Sequence, residues 1–352
     1  MKTDLTHHGG MNTTELDTLG INPKTVIDFS TNINAYGPCP GILSSFSETD
    51  IMRYPDKNSN SLRAIISQKE NVAPDQLLIG NGSSELIWLT AFRFLSTPQK
   101  VLILNPTFSE YERCAALMRA SIIHANAEEK FNFQHQPDTI DEMLKSSGAT
   151  MCFICTPNNP SGVISDPAYI QHLAKKHPAT LFVIDEAYLA FVPDLVSSYN
   201  PKYDNLLILR SLTKEYALAG LRPGYILGNT SLIKKLTDIR PAWNINSLAQ
   251  KAGELSLKND SYLNDSVKKL LKNKHDLVAD LGKIGVRCIP SATHYFLCKV
   301  GDASQFRQRL LTQHHIQVRD CTSFGLPAYI RIGTRKPAEN QKLLTAMKDL
   351  IK

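Results

Sequence analysis

Long apolar runs are missing. None of the 352 residues lies in a stretch of eighteen or so consecutive apolar residues, the length a membrane-spanning helix needs, so no membrane partner is expected. The start, "MKTDLTHHGGMNTTELD", lacks the apolar core of a signal peptide, and a cytoplasmic protein is expected. Basic blocks are missing too. A net charge of +6 is spread along the chain, whereas nucleic-acid binding wants a concentrated patch, so no nucleic-acid partner is expected. A site for a small phosphorylated anion needs only a few placed arginines. Seven cysteines at irregular spacing exclude a disulfide framework. Cys152 and Cys155 have CxxC spacing but sit in the apolar run "ATMCFICTP". Side chains three apart on a strand point to opposite faces, so these thiols cannot share a metal. His7 and His8 have no partners at ligand spacing, and no metal is expected. No internal repeat, low-complexity tract or linker interrupts the chain.

What is present is alternation. The runs 76–80, 100–104, 121–125, 150–155, 180–185, 205–210 and 224–228 read as strands, and several are separated by helical periods. This pattern predicts an α/β domain with a mostly parallel sheet of seven strands, covered by helices on both faces. From about 246 a long helical region leads into strands "VRCIP", "HYFLCKV", "IQVRD" and "AYIRIG", which predicts a smaller α+β domain over 246–352. The large domain is placed at 31–245, and residues 1–30 are expected to pack with the small one.

Open sheets of this kind bind ligands at the carboxyl ends of their strands. After the first run comes "NGSSE", with Gly82, Ser83 and Ser84 opening a helix. Helix-terminal amides with serine hydroxyls suit a phosphate, and a plain serine cap is the alternative. "NPTFSEY" puts Phe108 at the next strand end, where it could stack on a flat ring. "TPNNPSG" brings Asn159 in a turn-rich segment. "DEAY" ends an apolar run on Asp185, a carboxylate that is costly to bury without a cation or strong donor. "SLTKEYALAGLRPGY" then supplies Ser211, Lys214 and Arg222. A phosphate cradle, a stacking aromatic, a buried anion and an amine are together what pyridoxal phosphate (PLP) requires.

In "TPNNPSG", "DEAY" and "SLTK…GLRPGY" the sequence resembles the fold-type I PLP-dependent enzymes, in the branch containing histidinol-phosphate aminotransferase. The resemblance spans essentially the whole chain. It implies Lys214 as the lysine that condenses with the cofactor aldehyde and Asp185 as partner of the pyridine nitrogen. Tyr188 and Asn159 would contact the ring 3-hydroxyl, and Phe108 would stack on the ring. Gly82, Ser83, Ser84, Ser211 and Arg222 would hold the phosphate. A homodimer with shared active sites is implied, Tyr54 of "RYPD" reaching the phosphate of the neighbouring subunit.

The ends of the chain narrow the resemblance. "HHGG", then "VIDFSTNINAYGP", and "IQVRDCTSFGLPAYIRIGTR" are similar to the threonine-phosphate decarboxylases of cobalamin biosynthesis. In that group the match implies that His8, Gly9, Asn32 and Arg319 engage the phosphate end of a phosphorylated amino-acid substrate, and that Arg331 binds its α-carboxylate. Guanidinium forks suit both anions. Two features depart from the group. Ala35 and Tyr36 follow "NIN", where they are expected to reshape the substrate pocket, and the loop between the two arginine strands is short.

Overall fold

The computed structural model describes residues 9–351. The first strand, β1 (Ile27–Asp28), belongs to the smaller unit. The large sheet follows: β2 (Leu77–Asn81), β3 (Lys100–Asn105), β4 (Ser121–Asn126), β5 (Met151–Cys155), β6 (Leu181–Asp185), β7 (Leu206–Ser211) and β8 (Pro223–Gly228). Its spatial order is β2-β8-β7-β6-β5-β3-β4, and only β8 runs antiparallel to its neighbours. All seven expected strands are present.

Alternation along each strand separates two cores. On β5, Cys152 and Ile154 face one core while Met151, Phe153 and Cys155 face the other. The CxxC thiols therefore sit on opposite faces, and both are free. On β7, Leu206 and Ile208 are divided in the same way from Leu207 and Leu209. Helices close both faces at their own period. Ile140 and Leu144 come from Pro137–Ser147, which starts on a proline and stops at left-handed Gly148. Leu86, Ile87 and Ala91 come from Gly82–Phe94 on the opposite side.

The smaller unit is built on β9 (Arg287–Cys288), β10 (Tyr295–Lys299), β11 (Ile316–Gln317), β12 (Arg319–Asp320) and β13 (Tyr329–Gly333). Four of these form an antiparallel sheet in the order β12-β13-β10-β9, and β1 pairs in parallel with β11. Phe29 joins this unit's core, so residues 27–29 pack with the C-terminal part of the chain.

The helical region after 245 differs from expectation. It is two helices, Ser247–Leu257 and Asp260–Lys283, and the large sheet's core continues through Ala249, Ala252, Leu263, Val267 and Leu270. Leu277 and Leu281, further along the second helix, pack with the small sheet instead. The passage from one hydrophobic core to the other thus lies within that helix. A change in composition marks where strands resume, not which core a helix serves.

A segment between the two sheets, residues 30–34, is gripped from both. The Gly333 amide donates to the Phe29 carbonyl at 2.8 Å, and a Cβ on Gly333 would land on the Thr31 carbonyl oxygen. On the other side, the Asn34 amide donates to the Lys214 carbonyl at 2.9 Å, and its side chain reaches the Glu215 carbonyl and the Ser266 hydroxyl. Gly333→Ala is expected to destabilise the protein by roughly 1–3 kcal/mol, because backbone cannot yield as a side-chain tip can. Urea unfolding measures it, and a midpoint equal to the wild type's would show that the seam is looser than it looks.

Candidate active site

Five strand-end segments of the large sheet and the arginine strands of the small one converge on a cavity of about 380 Å³. Asp185 closes β6 with parallel strands on both sides, Cys155 and Leu209 being its register partners. Its carboxylate is only 4% exposed. One oxygen accepts from the Tyr111 hydroxyl at 2.7 Å and the other from the Ala187 amide at 3.0 Å. Burial pushes its pKa up, while these two donors and the Lys214 charge pull it down.

Lys214 lies on the short helix Leu212–Glu215 that follows β7, capped by Ser211. Burial, then the charges of Arg222 and Arg331, lower its pKa to about 8, against the opposing pull of Asp185. Below that pH the amine carries its proton; above it the lone pair is free to act as a nucleophile. The Ser211 hydroxyl is turned towards the Thr213 hydroxyl at 2.7 Å, and Thr213, not Ser211, lines the cavity. Ser83 and Ser84 line it from the first turn of Gly82–Phe94. Gly82 has φ +79°, and a Cβ there would meet the Arg222 guanidinium at 2.8 Å, so the bare backbone is what lets the arginine fold over the helix end.

From the other side come Arg319 and Arg331, directly opposite each other on β12 and β13. Both are buried, at 6% and 4% exposure. The Arg331 guanidinium donates to the Asn159 side-chain oxygen and to the Ser30 carbonyl, which leaves the Asn159 amide group free to donate elsewhere. Arg319 donates to Ser323 at 2.6 Å and lies over the Phe324 ring, 5.0 Å from its centre. Burial, with Arg331 as the nearest like charge, lowers its pKa to about 10.

Phe108, Tyr188, Asn32 and Gly9 also line the cavity. The Asn32 amide donates to the Tyr188 hydroxyl at 3.3 Å, and burial raises that phenol to about 12. His8 lies outside the described residues. Tyr54 is elsewhere: it is 79% exposed and stacks on Trp243, ring centres 4.4 Å apart. Ala35 and Tyr36 do not line the cavity. The Tyr36 hydroxyl accepts from Asn273 at 3.1 Å, its carbonyl accepts from Tyr262, and both residues pack against the large core. The departure after "NIN" therefore does not reach the pocket wall.

The sequence did not single out Tyr111, Glu110 or Arg113, all of which line the cavity. Tyr111 stacks on Phe153 at 4.9 Å with its hydroxyl on Asp185. The available signal was a second aromatic three residues after Phe108, one helical turn on. Arg222→Gln is expected to raise the Lys214 pKa, since a repelling cation is removed. Labelling of Lys214 by an amine-reactive reagent in cofactor-free protein checks it: half-maximal rate near pH 8 for the wild type, and a higher midpoint in the variant. A wild-type midpoint in the ordinary lysine range would refute this electrostatic account.

Known proteins share this architecture. The adenosylcobalamin biosynthesis bifunctional protein CobDQ of Leptospira interrogans is 32% identical over 359 residues, covering 99% of this chain, while the chain spans only 41% of that relative's length. A histidinol-phosphate aminotransferase of Methylobacillus flagellatus is 33% identical over 342 residues, covering 95% of this chain and 91% of its own. The crystal structure of L-threonine-O-3-phosphate decarboxylase from Porphyromonas gingivalis superposes with a TM-score of 0.80 at 27% identity, covering 92% of this chain and 98% of that one. Histidinol-phosphate aminotransferase from Sinorhizobium meliloti, solved with pyridoxal-5'-phosphate, gives a TM-score of 0.87 at 20% identity over 99% and 97%, a likeness of fold. Residues 24–347 match the model for aminotransferase class I and II, and the chain belongs to that family, with its fold-type I architecture.

Proposed function

We propose that this protein decarboxylates an O-phospho-L-amino acid, converting threonine phosphate to aminopropanol phosphate or serine phosphate to ethanolamine phosphate for a cobalamin nucleotide loop. The observation that carries the proposal is the Arg319–Arg331 pair, two buried arginines directly opposed on adjacent strands and lining the same cavity as Lys214. A substrate with a carboxylate and a phosphate on one short skeleton offers an anion to each fork. The CobDQ relative and the decarboxylase neighbour support the same direction.

The cofactor is pyridoxal phosphate, and the residues present fit it. Backbone amides at the helix start, Ser83, Ser84 and Arg222 match a phosphate. Asp185 is a buried carboxylate with no cation within hydrogen-bond reach among the described residues, suited to a protonated pyridine nitrogen. Phe108 flanks the space for a ring, Tyr188 and Asn159 offer donors to its 3-oxygen, and Lys214 offers the amine. When bound, the cofactor supplies an electron sink for the bond broken at Cα.

The chain's own groups choose that bond. Arg331, immobilised by Asn159 and Ser30, holds the carboxylate in one orientation, and Arg319 holds the phosphate; loss of CO2 follows if the carboxylate stands perpendicular to the ring plane. The Lys214 ammonium, its pKa lowered to about 8, or a water that it holds, returns a proton to Cα. His8, Gly9 and Asn32 complete the substrate end of this proposal. The difference between threonine and serine phosphate is one methyl, worth only ~1–3 kcal/mol of discrimination.

Leu43, Ile51, Met52, Tyr54 and Trp243 are large apolar side chains left exposed, and Tyr54 stacks on Trp243, as contact with a second copy would use them. The proposal includes a homodimer in which Tyr54 reaches the partner's cofactor phosphate. The large domain at 31–245 and the small one at 246–352, with residues 1–30 packed on the latter, belong to it as the functional division. A second reading, histidinol-phosphate aminotransferase, is favoured by relatives such as the Methylobacillus flagellatus enzyme.

The test is product identification by mass from PLP-loaded protein given phosphothreonine, phosphoserine, or histidinol phosphate with 2-oxoglutarate. CO2 with an amino-alcohol phosphate is expected, and the faster substrate is the natural one; amino transfer in the third tube alone would replace the proposal with the aminotransferase. Arg331→Gln is expected to lower kcat/KM for the phospho-amino acid at least about 30-fold, from the ~2–5 kcal/mol lost when a buried charged contact is removed. A variant as active as the wild type would remove Arg331 from the site.

A further inference from the structure

Behind the cavity wall lie His294 and Thr334, buried polar groups that neither the cofactor nor the substrate contacts account for, and in front of them Asn32, which lines the cavity. His294 is completely buried, and neither ring nitrogen finds a partner at hydrogen-bond geometry among the described residues. The same holds for the Asn32 side-chain oxygen and the Thr334 hydroxyl. These residues are neighbours. Tyr295 and Gly333 are register partners, so the next pair outward is His294 and Thr334, and the Thr334 amide donates to the His294 carbonyl at 3.0 Å. A Cβ on Gly333 would lie 3.5 Å from the Asn32 side-chain oxygen. The imidazole packs on Phe191, ring centres 4.0 Å apart, and edge-on to Tyr295, which is itself edge-on to Tyr188.

Leaving buried polar atoms unmade costs free energy that a native core seldom bears. Burial, with Arg331, Lys214 and Lys274 as repelling cations, lowers the His294 pKa to about 3, although the Asn32 backbone is placed to favour the proton. The ring is therefore neutral at physiological pH, with one N–H to give and one lone pair to receive. The ring approaches Asn32 through that residue's backbone, and the side chain of the same residue carries an unsatisfied acceptor. An amide has two faces, and which one meets Tyr188 matters. With the Asn32 amide donating, as here, the Tyr188 oxygen is an acceptor and its own proton is directed elsewhere. With the amide reversed, the Tyr188 proton would be spent on Asn32.

We propose that His294 is a positioning residue: its N–H, directly or through one buried water shared with Thr334, holds the Asn32 side-chain oxygen. The Asn32 amide is then fixed on Tyr188, and the Tyr188 proton is presented to the cofactor's 3-oxygen. This rests on the placement of Tyr188 beside PLP in the function proposed above. A donor at that oxygen stabilises its anionic form, so the pH midpoint of the visible absorbance of the PLP-loaded protein reads the presentation directly.

The experiment compares that midpoint in the wild type, His294→Phe, His294→Gln and Tyr188→Phe, with kcat and KM beside it. His294→Phe is expected to raise the midpoint by about 0.5–1 pH unit, the equivalent of one hydrogen bond, and to lower kcat with KM nearly unchanged. His294→Gln, which keeps a donor, should return the midpoint most of the way. A midpoint unmoved in His294→Phe but raised in Tyr188→Phe overturns the role of His294. A midpoint unmoved in both overturns the placement of Tyr188, and with it the cofactor geometry. Should His294→Phe fail to fold, nitrogen NMR of labelled histidine in wild-type protein decides: a neutral imidazole with one exchange-protected N–H from pH 5 to 9 supports the proposal, and an imidazole without such a proton overturns it.

Discussion

Five cations face one small space. Among the described residues, Arg113, Lys214, Arg222, Arg319 and Arg331 line a cavity in which Asp185 and Glu110 are the carboxylates, and Glu110 is already engaged by Trp88 and Arg113. Like charges brought together away from water repel, and the depressed pKa values of Lys214, Arg222 and Arg319 record how much of their solvation has gone. The two hydrophobic cores and the hydrogen-bonded sheets keep this arrangement closed; its unfavourable electrostatics are relieved by anions. A phosphorylated cofactor, and the doubly anionic substrate proposed above, would thus be structural complements of the protein as well as its chemistry.

Each sheet supplies what the other cannot. Parallel strands ending side by side deliver Asp185, Asn159 and Lys214 to a common edge, because the helices that follow leave the strand ends open. The antiparallel sheet delivers paired arginines, because residues opposite one another on adjacent strands share a face. Segment 30–34 binds the two together. Its backbone is pressed against Gly333, Asn34 grips the Lys214 backbone, and Asn32 meets Tyr188.

Much of this was legible in the sequence because it is local. An apolar run that alternates between two faces is a strand whatever its neighbours, and a carboxylate ending such a run has nowhere to go but the sheet edge. The motifs around Lys214 and Arg222 are likewise compact. What was hidden joins residues far apart in the chain. The Tyr111 bond to Asp185, the grip of Asn159 on Arg331 and the burial of His294 depend on which elements pack together, which no spacing encodes. Tyr36 shows the reverse error: a change inside a motif looked like a change in the pocket, but Asn273 on a distant helix draws the side chain away. Ser211, expected at the cofactor phosphate, has its hydroxyl bonded to that of Thr213 within the same turn.

The seam at 30–34 has a consequence for how the protein is made. A chain emerging from the ribosome has all seven strands of the large sheet once Gly228 is out, and that sheet can begin to close with Lys214 already on its edge. Segment 30–34 must then wait for its other wall, because Gly333 and Arg331 come about a hundred residues later in the chain. Until they arrive the cavity is a groove with one side missing. Enclosure of the cavity is thereby tied to synthesis of the small unit, and a product truncated before β12 keeps Lys214 but not the wall that encloses it.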